Sequence, residues 1–316
     1  MKNLKYIITL LLLLVSVNIA QSQRIKFTLQ WTAQSQFVGY YVAQELGYYK
    51  NLGLDVEINH VSSSNGINNH LNDCDALTLK LYDAISLISN GLDVVNILQT
   101  SQHSSLVVVA RRNDIKSLSD LKGRKVGIWS ASFRELAEGI SQDKGLNIEW
   151  VPFVQNINLF ISGAIDATFA VTYGEEYQLR MSGFENNPYI YLSDAGYDFP
   201  EDGLYIKADY CKKYPKQAQA FAVASRMGWE WAQQHPDKAL EIVIKVMERE
   251  RIPVSRRYQK WMLEQTLKLL CDKRTNKPSF EIDVEKFNQI NQFLIKRGSI
   301  TKPLPIDKIR GTHLCK

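Results

Sequence analysis

Metal-ligand spacings, nucleophile elbows and glycine-rich phosphate loops are all missing from this 316-residue chain. His60, His70, His103, His235 and His313 are scattered, with no His-x-x-x-His pair and no acidic partner at ligand spacing. A zinc site therefore has no support in the sequence. No Gly-x-Ser-x-Gly turn is present, so the hydrolase version of a strained serine is excluded as well. These absences count against an enzyme, although a site assembled only in space leaves no such trace. No stretch concentrates arginine with aromatics, and the formal net charge is a mild +5, which argues against a nucleic acid partner. Beyond the amino terminus no hydrophobic run approaches the roughly 20 residues that a membrane span requires.

Cysteine is sparse: Cys74, Cys211, Cys271 and Cys315. In an exported protein all four could pair, in one of three connectivities. Cys271 and Cys315 bracket the C-terminal helices and are the favoured pair. Cys74 precedes an apolar run and is expected to pack as a small hydrophobe.

What is present begins with a leader. Lys2 and Lys5 precede an apolar run from Tyr6 to Val17, and Ala20-Gln21-Ser22 supplies small residues two apart. This is the pattern of a cleaved signal peptide, with the mature chain starting near Gln23 in a periplasmic or secreted location. No cysteine follows the cleavage region, so a bacterial lipid anchor is not supported. Loss of the two lysines lowers the formal charge to +3. The remaining length suits two lobes, each with its own core.

Residues Arg24 to Trp31 alternate, with Ile25, Phe27, Leu29 and Trp31 on one face, as a strand does. Gln36 to Leu46 reads as a buried helix with a small stripe at Gly39 and Ala43, stopped by Gly47. Leu54, Val56 and Ile58 then open a second strand. This βαβ order builds a parallel sheet. Strands follow at Ala76–Leu79, Val94–Leu98, Leu106–Ala110, Lys125–Ile128, Ile148–Val151, Ala167–Val171 and Leu204–Ile206. Helices are expected at Ala84–Ser89 and Arg134–Lys144, then at Lys216–Gln234, Asp237–Glu248, Ser255–Leu270 and Val284–Lys296. The pattern predicts an α/β fold of two lobes: residues 23–110 with 206–316, and residues 111–205. Ser104 to Asn113 would carry the chain out and Glu201 to Lys207 would bring it back. Two crossing strands make a hinge that can close on a ligand.

Several segments resemble one family. They are Leu29-Gln30-Trp31, Gln34-Ser35-Gln36-Phe37-Val38-Gly39-Tyr40-Tyr41-Val42-Ala43, Gly47-Tyr48-Tyr49 and Gly53-Leu54-Asp55-Val56. Further matches are Asp120-Leu121-Lys122-Gly123, Val126-Gly127-Ile128-Trp129, Thr172-Tyr173-Gly174-Glu175-Glu176 and Glu201-Asp202-Gly203-Leu204. Together they resemble the thiamine-pyrimidine-precursor binding proteins of ABC transporters, relatives of the fungal hydroxymethylpyrimidine synthase and of alkanesulfonate and taurine binders. The resemblance extends to about Val246, and the helices after Ile252 depart from it. It implies a type II periplasmic-binding-protein fold, a ligand held between lobes, and delivery to a membrane permease by a monomer with no cofactor. The synthase uses a histidine, a pyridoxal-phosphate lysine and a cysteine-rich motif. Here the histidine position falls near Asp83 and the lysine position near Leu79, with Lys80 adjacent. Gly196 to Leu204 has no cysteine, which argues against synthase activity.

Ligands of open α/β sheets sit beyond the carboxyl ends of strands. Trp31 ends the first strand there and could stack on a planar heteroaromatic ligand, or else finish an apolar core face. Gln36 belongs to the same motif. Trp129 and Tyr173 follow strands of the second lobe and could cover the ligand's other face, or simply pack. Tyr82 and Asp83 follow Ala76–Leu79, where Asp83 could instead cap the next helix. Glu175 lies just past a strand end as an acceptor for an amino group or ring nitrogen, while Glu176 is expected to be solvated. Ser63 and Ser64 lie in a polar loop that could hold an anion. His103 is a secondary candidate.

The expected function is extracytoplasmic capture of a small heteroaromatic molecule, a thiamine pyrimidine precursor, for an ABC importer. The alternatives are a component that presents ligand to a membrane sensor, and a pyridoxal-phosphate-dependent synthase-like enzyme, with Lys80 as the lysine to watch.

Overall fold

The computed structural model describes residues 24–61, 66–130, 133–153 and 157–311. The expected leader, Ser63, Ser64 and Cys315 lie outside these residues. The first strand, β1 (Ile25–Leu29), buries Ile25, Phe27 and Leu29 and exposes Lys26, as its alternation requires. Helix α1 (Val38–Glu45) buries every residue from Val38 to Ala43. Gly47 follows at φ 73°, a left-handed conformation that glycine adopts at no steric cost. Then come β2 (Val56–His60), β3 (Ala76–Lys80), α2 (Leu81–Ser89) and β4 (Val94–Gln99). The middle of the chain carries β5 (Leu106–Ala110), β6 (Lys125–Trp129), α3 (Arg134–Asp143), β7 (Glu149–Phe153), β8 (Ala167–Val171), α4 (Glu175–Leu179) and β9 (Tyr189–Tyr191). The last long strand is β10 (Asp202–Lys207), followed by α5 (Pro215–Gln234), α6 (Pro236–Arg249), α7 (Arg256–Leu269) and α8 (Val284–Arg297).

The strands form two mixed five-stranded sheets, ordered β2-β1-β3-β10-β4 and β7-β6-β8-β5-β9. In the first, β1 runs parallel to β2 and β3, while β10 runs antiparallel to β3 and β4. In the second, β6 is parallel to β7 and β8, and β5 is antiparallel to β8 and β9. Strand β5 thus belongs to the second sheet, through its pairing of Leu106 with Val171 and Ala110 with Ala167. The chain therefore leaves the first sheet between Gln99 and Leu106, earlier than the apolar pattern alone indicates.

The outward crossing is a run of buried polar residues, Gln99 to Ser105. Such a run is tolerated only where its groups are hydrogen-bonded, and the returning segment supplies the partners. Thr100 and Ser101 donate their backbone N–H groups to the Asp202 carbonyl at 2.9 Å. The Ser101 hydroxyl accepts from the N–H groups of Glu201 and Asp202 at 2.7 and 3.0 Å. The Glu201 carboxyl accepts the Ser105 N–H, and Asp198 accepts that of Ser104 at 2.7 Å.

The first core is aromatic. Phe27 meets Tyr40 and Phe221 edge-on at 4.9 and 5.3 Å, and Tyr40 meets Trp229 at 5.5 Å. A second buried cluster runs from Leu79 and Tyr82 beside the first sheet to Val126 and Ile128 in the second, with Phe293 and Leu294 of α8 within it. Among the described residues no helix is long and apolar enough to cross a membrane.

Two sequence expectations are corrected here. Cys271 is a free thiol, so the Cys271–Cys315 bridge does not form; Cys211 is the disulfide-bonded residue. Instead the Cys271 sulfur accepts a hydrogen bond from the Gln233 amide at 3.2 Å. Glu176 is buried at 4 % exposure, not solvated, because it turns inward to pair with Arg180 at 2.7 Å and to accept from the Tyr191 hydroxyl. Cys74 is buried and free, as its apolar setting predicts.

Candidate functional site

Between the sheets lies a cavity of about 270 Å³ at the carboxyl ends of β1, β3, β6 and β8. Trp31, Gln36, Trp129, Tyr173 and Glu175 all line it, so five of the sequence candidates are brought together. Tyr82 and Asp83 line an adjoining cavity of about 380 Å³. His103 does not join them. Its ring nitrogen is bonded to Asp198 at 2.7 Å within the crossing strip, where the buried polar run holds it away from the cleft.

Glu175 sits in the first turn of α4, just past β8. One carboxyl oxygen accepts the Trp129 indole N–H at 3.0 Å, and the other accepts the Val171 backbone N–H at 3.2 Å. Burial nevertheless pushes its pKa upward, because desolvation penalises the charged form more than two neutral donors relieve it. Asp202, at the start of β10, accepts from the Gln36 amide at 2.8 Å and also from the Gln30 amide. Burial raises it to about 6, with the amides and Lys80 opposing that rise. Glu201 is pushed up to about 8 by burial, despite its bonds to Ser105 and Ser104. The cavity is therefore lined by three carboxyl groups, two tryptophans and the amides of Gln30, Gln34, Gln36 and Gln178.

Lys80 is the one basic side chain lining this cavity among the described residues. Its ammonium pairs with Asp83 at 2.9 Å and lies 4.8 Å from the centroid of the Phe133 ring. Asp83 thus stands in the first turn of α2 as an ion-pair partner of Lys80, three residues earlier. Phe133 adopts φ 59°, a conformation that costs energy for a residue with a side chain and recurs at ligand-binding positions.

Sequence reasoning missed the contribution of the C-terminal helices. Tyr258 and Met262, four apart on α7, form part of the cavity wall. Helix α7 is held there from both sides. Gln259 accepts the Ser35 N–H at 2.8 Å, and Trp261 donates its indole N–H to the Thr172 carbonyl at 2.8 Å. Tyr177 packs against Tyr258 and Trp261 at 5.3 and 5.7 Å. The spacing of four places both on one helical face, as it does for any pair that packs into a core, so it did not single them out. Gln30 and Asp202 also escaped, although both lie within the motifs that carry the family resemblance.

The family described as NMT1/THI5 like matches residues 34–239. A Haemophilus influenzae protein whose name assigns it to thiamine biosynthesis is 24% identical over 301 residues, covering 90% of each chain. A formylaminopyrimidine-binding protein of Halalkalibacterium halodurans is 25% identical over 298 residues, covering 89% of this chain and 88% of the relative. The periplasmic aliphatic sulphonate binding protein SsuA of Escherichia coli superposes with a TM-score of 0.65 at 14% identity, over 90% of this chain and 91% of that one. The desulfurization enzyme DSZB superposes with a TM-score of 0.60 at 14% identity, over 92% and 98% of the two chains, so the same architecture also carries an enzyme. These matches establish a two-lobed periplasmic-binding-protein fold, and the chain belongs to the NMT1/THI5-like family.

Proposed function

We propose that this chain is an extracytoplasmic solute-binding protein that captures a small heteroaromatic amine, a thiamine pyrimidine precursor, and hands it to the membrane permease of an ABC importer. The composition of the cleft carries the reading. Aromatic faces from Trp31 and Trp129 suit a planar ring, and Glu175, Asp202 and the amides offer acceptors to ring substituents. Sulfonates suit it poorly, because the one lysine in its lining among the described residues is already paired to Asp83. The formylaminopyrimidine-binding relative supports the same ligand class.

We place the first lobe at residues 24–99 and 202–311 and the second at 106–191, with closure about the two crossing segments. Trp31, Gln36, Trp129, Tyr173 and Glu175 hold the ligand in this reading, and Tyr82 and Asp83 flank it. Thermal unfolding of the purified chain against hydroxymethylpyrimidine, formylaminopyrimidine, taurine and alkanesulfonates tests it. A ligand at one hundred times its dissociation constant adds about 2.7 kcal/mol, enough to raise the midpoint by roughly 4 °C. A rise with a pyrimidine that disappears in Trp31→Ala and Glu175→Ala is the expected result. A rise confined to the sulfonates would overturn the ligand class.

A further inference from the structure

The cleft has a second chamber that a single pyrimidine ring leaves unused. The inner cavity and its neighbour share Gln30, Trp31, Lys80, Trp129, Phe133 and Glu201 as walls, so they adjoin. The outer chamber, about 380 Å³, is the larger. Among the described residues its ionic lining consists of Lys80, Asp83, Glu135 and Glu201. Lys80 and Asp83 neutralise each other at 2.9 Å. Glu201 is held neutral by its burial up to about pH 8, which leaves Glu135, whose carboxylate accepts from the Ser299 hydroxyl. Around this carboxylate, itself exposed, stand the aromatic rings of Tyr82, Phe133 and Phe199. Phe133 already receives one cation on its face, the Lys80 ammonium. Tyr82 is buried, and its hydroxyl lies close enough to Glu135 for that carboxylate to add to the rise that burial imposes on its pKa. Carboxylate plus aromatic faces is the combination that recognises a positively charged group.

We propose that the cleft takes a two-part ligand, with an amino-bearing planar ring in the inner chamber and a positively charged second group in the outer one. The inference rests on the pyrimidine reading of the inner chamber and extends it: the preferred substrate is a cationic conjugate of the ring. An anionic extension would meet Glu135 and be rejected.

Isothermal titration calorimetry with three probes tests the proposal. They are hydroxymethylpyrimidine, thiamine (a closely related ring joined to a cationic thiazolium) and thiamine monophosphate. Thiamine should bind about tenfold more tightly than the bare pyrimidine, the equivalent of ~1.4 kcal/mol, and the phosphate should lose that gain. Glu135→Gln keeps an acceptor for Ser299 while removing the charge, and should bring the thiamine-to-pyrimidine ratio toward one. Ser86→Phe, which fills the outer chamber from α2, should do the same by volume. If the bare ring binds as tightly as thiamine in the unmodified chain, the two-part proposal is overturned and the pyrimidine reading stands. If neither binds, both readings fall. A ratio that survives Glu135→Gln would sink the charge argument even if Ser86→Phe failed to fold.

Discussion

Trp129 donates its indole N–H to the Glu175 carboxyl at 3.0 Å, which ties the end of β6 to the first turn of α4. The bond fixes an acceptor at the cavity wall before any ligand arrives, so the ordering entropy is already spent in folding. The second Glu175 oxygen is held by the Val171 N–H at 3.2 Å, which leaves each oxygen a lone pair for a ligand donor.

Trp129→Phe should therefore weaken pyrimidine binding about tenfold, the scale of one hydrogen bond to a carboxylate, while the fold survives. It should also push the Glu175 acid further up, since a donor that favours the ionised form is lost. Calorimetric affinity at two pH values checks both effects. Unchanged affinity would place the ligand elsewhere.

The two acids at the start of β10 set a pH dependence of stability. Burial raises Glu201 to about 8 and Asp202 to about 6. In the unfolded chain both titrate near about 4. Below that pH the acids are protonated in both states, and their contribution is fully present. As pH rises from about 4, the unfolded state releases protons that the folded state retains, so stability falls, by ~1.4 kcal/mol per unit for each group still in its window. Urea unfolding should thus show a decline that slackens above pH 6 and ends near pH 8. Glu201→Gln should abolish the decline above pH 6 and halve its slope below, where Asp202 alone remains in its window. A wild-type profile flat from pH 5 to 8 would contradict a neutral buried Glu201.

Asp198 links the two crossings to the C-terminal helices. It lies 2.7 Å from His103 and 2.6 Å from Lys286 of α8, and these partners with the Ser104 N–H hold it at about 2 against the opposing effect of burial. Lys286→Met removes the cation and leaves a partly buried carboxylate less compensated. The expected cost is about 2 kcal/mol, below the 3–5 of a fully buried pair because these side chains retain some exposure. Because the folded pKa is depressed, this contribution is present above about pH 4 and is lost as pH falls through about 2. Denaturation at pH 7 and pH 2 separates the two: the variant should be weaker at the first and closer to the parent at the second.

The regular elements were legible because each buries one face. Ile25, Phe27 and Leu29 alternate, and the run Val38 to Ala43 is apolar on most sides. The crossing strip was not legible: Gln99 to Ser105 is polar and carries no apolar pattern, and its burial depends on partners about one hundred residues later in the chain. Part of the cleft could be read from tryptophans and a carboxylate at strand ends. Tyr258 and Met262 could not, since on α7 they look like any apolar helix face, and only the anchors at Ser35 and Thr172 turn that face toward the cavity. The membership of β5 was hidden because an all-buried apolar strand carries no mark of which sheet it joins.

The close approach of α1 and α5 is set by glycine on both sides. A Cβ added at Gly228 of α5 would stand 2.0 Å from the Gly39 carbonyl oxygen and 2.9 Å from the Ala43 Cβ. The oxygen belongs to the α1 backbone and cannot swing aside, so the helices must separate. Separation would also loosen the edge-on contact of Trp229 with Tyr40. Overpacking of this kind costs about 1–3 kcal/mol, and a backbone clash belongs at the upper end. Gly228→Ala should therefore lower the unfolding midpoint by roughly 4–5 °C. Gly66→Ala is the matched comparison, with ordinary φ and nothing within 4 Å of the added carbon, and should leave the midpoint unchanged. Equal midpoints for the two variants would mean that α1 and α5 do not approach as closely in solution, and the small-residue stripe at Gly39 and Ala43 would lose its structural reason.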